Sequence, residues 1–292
     1  MRVYITKSFY KIFLLFACSL FVCNSCNAVE KKEIKASEII KQLKKDKHVH
    51  IIDKIILDDL DFTEIDREFA VSTGMLQNEI NSNIFFSKCV FMGKVSTTGK
   101  QSDVPVQSVF KNNVSFIACD FRGDADFSNT VIFGTINFSQ SVFRENAVFD
   151  NISLWAKDSY FTEIKAEKNF SMIYASFYGN LYFVNTEFLG RFSMQETSVG
   201  GKLSFNSSTF NGRAGFDLMT ISKKAFFNYI TFEEGADFSF SYFMQSTEFI
   251  NTTFKKKGLF EKTFFNDNVN LENIDKDSTL LKDTYINNTK NK

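Results

Sequence analysis

Residues 177–221 read FYGNLYFVNTEFLGRFSMQETSVGGKLSFNSSTFNGRAGFDLMTI, and large apolar residues fall at Phe177, Phe183, Phe188, Met194, Val199, Phe205, Phe210, Phe216 and Ile221. The steps alternate six and five. The alternation continues through Phe227, Phe232, Phe238, Phe243, Phe249, Phe254, Phe260 and Phe265 to Leu271 without a break. A helix repeats every 3.6 residues and a strand every two, so neither produces this spacing alone. Each unit must be a very short extended piece followed by a corner, and the chain must coil.

The same clock runs upstream through Phe110, Phe116, Phe121, Phe127, Ile132, Phe138, Phe143, Phe149, Leu154 and Tyr160. The two runs are joined with one residue too many, which this spacing assigns to a bulge between Lys165 and Ala175. Two residues before most markers stands a small side chain, as in Ala125, Ser141, Ala147, Thr186, Ser208, Ala236 and Thr263. The residue between is often polar, as in Asp126, Asn137, Asp237 and Glu248. Small-polar-large is a period of two: both ends point inward and the middle residue points out.

The units Ala125-Asp126-Phe127-Ser128-Asn129, Ile136-Asn137-Phe138-Ser139-Gln140 and Ala236-Asp237-Phe238-Ser239-Phe240 resemble the pentapeptide-repeat family. That family's unit is Ala-Asp/Asn-Leu-X-X. The resemblance is strong over 110–271 and weak over 51–91. It implies an all-β fold, a right-handed quadrilateral parallel β-helix, with the large residue of each unit inside. Here Phe replaces Leu and every second unit has six residues, so four units make a coil of about 22 residues, stacked at about 4.8 Å.

The ends are read from local pattern. In residues 37–47 Ile39, Ile40 and Leu43 share one face, Ser37 is a candidate cap and Lys44 and Lys45 suit a helix C-terminus, so a short N-terminal capping helix is expected. Residues 49–62 are strand-like and suit an irregular first coil. Residues 92–109 interrupt the clock and hold the only proline, Pro105, which predicts a projecting loop. The expected organisation is a signal peptide over 1–25, a capping helix and irregular coils over 26–109, the β-helix over 110–271 and a C-terminal tail, ending in disorder, over 272–292.

Arg2, Lys7 and Lys11 precede an apolar run from Ile12 to Cys23, followed by small and polar residues and then a charged stretch. This is the layout of a secretory signal, and its apolar run is too short to span a bilayer. Cys23-Asn24-Ser25-Cys26 resembles a bacterial lipoprotein signal, which implies acylation at Cys26 and a lipid anchor, although Cys23 stands where that pattern has Leu. Leu15-Phe16-Ala17-Cys18 fits the pattern in letters but leaves too short an apolar run, and ordinary cleavage after Ala28 gives a soluble periplasmic or secreted protein. All three readings stay open.

Among 292 residues there are 37 Phe, and Lys+Arg and Asp+Glu are equal at 34 each. Removing residues 1–25 leaves a slightly acidic chain, which gives no footing for nucleic acid. Some pentapeptide-repeat proteins imitate DNA and bind topoisomerases; that role needs a cytosolic address and a strongly acidic surface. His48 and His50 lack companions for a metal site, and Cys89 and Cys119 occupy small inward positions. No phosphate loop or nucleophile motif is present, so no catalytic, cofactor or metal residue is assigned. A polysaccharide-active β-helix enzyme is the minor alternative.

Outward aromatic residues remain. Phe133 and Trp155 are 22 apart, each one residue after a marker; Tyr242 and Phe264 are 22 apart, each one residue before one. In a 22-residue coil each pair stacks on the surface, where it either stiffens the coil stack or binds a partner. The expectation is a non-catalytic exported scaffold of the cell envelope, with an envelope protein or a glycan as partner.

Overall fold

The computed structural model describes residues 31–65, 68–70, 74–101, 103–274, 279–287 and 289–290. The signal segment and Cys26 lie outside them. From Lys32 onward the chain is one compact unit, a parallel β-solenoid with a single α-helix among the described residues. One coil places Val131–Ile132 on face I, Ile136–Asn137 on face II, Val142–Phe143 on face III and Ala147–Val148 on face IV, and returns to face I at Ser153–Leu154. Phe110 pairs with Ile132 and Ile132 with Leu154, the 22-residue coil that the markers require. Faces II, III and IV are ten-stranded sheets, and face I has thirteen strands.

The alternation of five and six is an alternation of two corners. Positive φ recurs at Asn129, Gln140, Asn151, Glu163, Tyr174, Asn185, Glu196, Ser207, Leu218, Tyr229, Phe240, Asn251, Lys262 and Asn273. These residues sit in the five-residue steps, third in a β-turn such as the one closed by Ser141 N–H donating to Phe138 O at 3.1 Å, which is the type II pattern. The six-residue steps turn through a wider bend in which, over the same coils, only Gly235 has a positive φ. The left-handed residues are eleven apart except between Asn151 and Glu163, which are twelve apart.

That exception locates the extra residue. It lies in the corner after Leu154, not between Lys165 and Ala175: Asn137 pairs with Tyr160 and Leu154 with Phe177, one residue beyond the regular register. The inward residue is therefore Phe161, which is fully buried, and Tyr160 points outward to stack on Tyr182. The markers then run on through Ala166 and Met172, two residues that the spacing alone did not reveal.

The interior is a set of Phe columns. Phe116, Phe138, Phe161, Phe183, Phe205, Phe227 and Phe249 stack with ring centroids 4.7–5.8 Å apart. A second column, Phe188, Phe210, Phe232 and Phe254, repeats at 4.9 Å. Parallel in-register strands force identical side chains to this spacing, and edge-to-face contacts between columns fill the remaining space. The small inward residues at the left-handed corners are often hydroxylic because the corner leaves a carbonyl to satisfy. Ser141 donates to Phe116 O, Ser208 to Phe183 O, Ser241 to Phe216 O and Thr263 to Phe238 O, at 2.7–2.8 Å.

Both ends and the early insertions differ from the expectation in detail. The helix is Ala36–Leu43 and buries Ala36, Ile39, Ile40 and Leu43 in the core; its N-cap is Lys35, and Ser37 lies inside the first turn. It follows a first strand, Lys32–Ile34, on face III and precedes Val49–Ile52 on face II. Residues 92–109 are not a projecting loop. Val95–Ser96 belongs to face IV, and Thr98–Gln101 pairs antiparallel with Val104–Phe110, which is itself held in face I beside Met75–Ile80. The segment after Leu271 is a further coil: Thr279 pairs with Gly258 and Tyr285 with Phe264, while Leu281 and Ile286 pack against the core.

Candidate functional site

Each coil offers face I three kinds of outward position: the strand residue before the marker, the residue after it at the rim toward face II, and the left-handed residue at the rim toward face IV. Most of the exposed large apolar side chains use these positions. Phe133, Trp155, Tyr178 and Met244 stand at the first rim, Tyr242 on the strand, and Tyr174, Leu218 and Phe240 at the second rim. The other faces carry only scattered ones, so face I is the apolar side of the coil stack.

The aromatic residues expected to stack do so. Phe133 and Trp155 lie 5.9 Å apart and 21° from parallel, and Tyr242 and Phe264 5.0 Å apart and 15° from parallel. Each pair is part of a longer ladder. Trp155 continues to Tyr178 at 3.8 Å, and Phe264 continues to Tyr285 at 5.5 Å. Strict 22-residue spacing misses both, since one coil is a residue long and the last a residue short. Tyr178 does follow a marker, Phe177, as Trp155 follows Leu154, and that signal finds it. The first ladder is closed at one end by the Lys111 ammonium, 5.1 Å from the Phe133 ring centre.

The two ladders are staggered. Between them Ser176, Ser198 and Thr220 occupy the strand positions, and Gly200 and Ser222 the rim. Here the surface sinks into a depression of about 260 Å³ lined by Ser176, Phe177, Tyr178, Ser198, Gly200 and Ser222. Ser198 Oγ donates to Ser176 Oγ at 3.4 Å. At the opposite rim Glu196 holds the Tyr174 phenol above its ordinary range by accepting its proton in a hydrogen bond.

The remaining faces are chemically different. Face III and its rim bear ion pairs between coils: Arg144 with Asp120 and Glu167, Lys165 with Glu187, Lys255 with Glu233. Arg144 is held more basic by its bonds to Asp120. On face II, burial and then Asp158 raise the Tyr182 phenol. His48 Nδ1 accepts from the Asn83 N–H at 3.0 Å, and His50 stacks on Phe85 at 4.7 Å. Cys89 and Cys119 are buried at the small inward positions. Among the described residues no three His, Cys, Asp or Glu side chains are grouped to hold a metal ion, and no described helix is long and apolar enough to cross a membrane.

No curated protein and no solved structure matches the chain. A family model for pentapeptide repeats in nine copies matches residues 106–153, the stretch that carries Phe133 and the regular coils beside it. The coil geometry extends on both sides of that match, so the chain is a parallel β-solenoid of which one stretch matches pentapeptide repeats.

Proposed function

We propose that the protein is a non-catalytic, exported scaffold of the bacterial cell envelope, tethered by lipid on Cys26, that presents face I to a partner. The observation that carries this reading is the gathering of exposed aromatic and apolar side chains on one face of four. Scattered surface apolar residues need no explanation, but their concentration on one face marks an interaction site. The solenoid supplies rigidity: each ring is held by its neighbours in the column and by parallel ladders on both sides, so little ordering entropy remains to oppose binding. The basic and apolar layout of residues 2–23 supports export, and Ser25-Cys26 supports acylation.

Two measurements test this. The intact mass of the mature N-terminus from cells expressing the full chain should show a diacyl or triacyl adduct on Cys26; a free N-terminus at Val29 would remove the anchor, and an uncleaved Met1 would remove export. Capture of envelope components by the purified protein should weaken on Trp155→Ala and Tyr242→Ala. Capture at wild-type level by both variants would remove face I as the binding face.

A further inference from the structure

In both aromatic ladders the rings stack along the solenoid axis, so neighbours cover each other's faces and only ring edges look outward. The end rings are different. The far face of Phe133 meets the Lys111 ammonium. The far face of Tyr178, which is 55% exposed, has no ring or ammonium stacked on it among the described residues. The next coil places Gly200 at that corner, where a Cβ would come within 2.7 Å of the Tyr178 carbonyl oxygen, and the coil after that places Ser222. The ladder therefore ends in an open slot at the spacing of one more ring.

We propose that this slot binds one neutral pyranose residue of a glycan, stacked on Tyr178 in the place of a fourth ring. The inference rests on the reading of face I as a binding face and names its ligand. The electron-rich face of an aromatic ring attracts the C–H side of a sugar ring, which carries weak positive charge. The hydroxyls of Ser176, Ser198 and Ser222 border the same space, and each can donate and accept, which matches the hydroxyls at a pyranose edge. Among the described residues no carboxylate, ammonium or guanidinium lines the slot. A charged sugar or a nucleotide would lose water there without gaining a counter-charge, so the lining selects a neutral ring. An apolar wall with a few converging polar groups is the usual make-up of a small-molecule site.

The fold supplies its own reporter, because Trp155 is the only tryptophan and its ring lies 3.8 Å from Tyr178. The full-chain protein is titrated with maltohexaose, cellohexaose and N-acetylchitohexaose as neutral probes and with hexagalacturonate as a charged one, followed by tryptophan fluorescence and by calorimetry. At least one neutral hexamer should bind saturably and more tightly than hexagalacturonate. Tyr178→Ala, which removes the platform, and Ser198→Tyr, which fills the slot, should each weaken that binding by about tenfold or more. Tyr229→Ala, at the rim between faces II and III, should leave it unchanged. Unfolding midpoints of the two slot variants near wild type keep the comparison one of binding.

Absence of saturable binding by every neutral hexamer at millimolar concentration overturns the proposal, as does binding that survives both slot variants or prefers hexagalacturonate. If no sugar binds while Trp155→Ala and Tyr242→Ala still abolish capture of an envelope protein, the slot fails and the face I reading stands. If a neutral sugar binds through the slot and those two variants leave envelope capture intact, the slot stands and the broader strip fails.

Discussion

Ala166 is the one position in the face III column where a Phe is missing between Phe143 and Phe188, its ladder neighbours on either side. The gap is filled from the next face. Phe170 stands where Ala147 stands one coil earlier, and its ring lies edge-on to Phe143 at 5.8 Å and to Phe188 at 5.3 Å. Both Ala166 and Phe170 are buried, Phe170 completely. If the two share one volume, Phe170→Ala should destabilise the protein by about 3–5 kcal/mol through the cavity it leaves. Ala166→Phe should destabilise by about 1–3 kcal/mol through overpacking against Phe170. The double variant restores the pattern of the regular coils and should be more stable than Phe170→Ala alone, a coupling of about 2 kcal/mol or more. Urea unfolding followed by circular dichroism measures this, with the denaturant slope checked for constancy because long repeat arrays can unfold in parts. A double variant whose loss equals the sum of the single losses within about 0.5 kcal/mol refutes the shared volume.

The other predictions test single features of the coil. Tyr229 is 63% exposed at φ 59°, a conformation that Asn tolerates better, so Tyr229→Asn should raise stability by about 0.5–1 kcal/mol in the same unfolding assay. Thr263→Val removes the hydroxyl donor from the Phe238 carbonyl, which keeps only the Ser241 N–H, and should lower stability by about 0.5–1.5 kcal/mol. Ile39→Asp puts a charge at a fully buried position of the capping helix; it should destabilise by about 3 kcal/mol or more and, by loosening the cover on the first coil, produce oligomers visible in size-exclusion chromatography. The Tyr182 phenol is held above its ordinary value of 10.0 by burial and by Asp158, so the unfolded chain loses this proton first. Its contribution is complete below pH 10 and declines above it, and Tyr182→Phe should flatten the fall in stability measured there.

What could be read from the residues follows from which interactions repeat. The coil length, the four-sided fold and the stacking of Phe133 on Trp155 all depend on one translation applied many times, and a translation is visible as spacing. Tyr178, Phe161, Met172 and Phe170 were missed because a single extra residue and a swap of large for small between neighbouring faces conserve the packed volume while breaking the letter pattern. The antiparallel pairings of Thr98–Gln101 with Val104–Phe110 and of Glu68–Ala70 with Met75–Ile80 escaped for a related reason. Val95 pairs with both Leu60 and Ala125, so the long early coils keep the same stack and place their additional residues in antiparallel excursions on face I. No periodicity announces such an excursion.

The interior and the surface of a solenoid obey different selection. An inward position must match the residues above and below it, since a change in one coil leaves a void or a clash in two others. An outward position is constrained mainly by its own column, so a column can become aromatic, ionic or small over a few coils without disturbing the stack. This separation explains why face III carries axial ion pairs such as Lys165 with Glu187 while face I carries rings. It also explains why the break at Gly200 is informative. A Cβ on Gly200 would lie 2.7 Å from the Tyr178 carbonyl oxygen, so the chain itself supplies no fourth ring at that corner and forgoes about 0.5–1.5 kcal/mol of stacking. The first ladder stops beside three serines, and the second begins on the strand position three coils later; an interruption in stabilisation on the face that is otherwise most apolar is the arrangement expected of a surface shaped to receive a ring from outside.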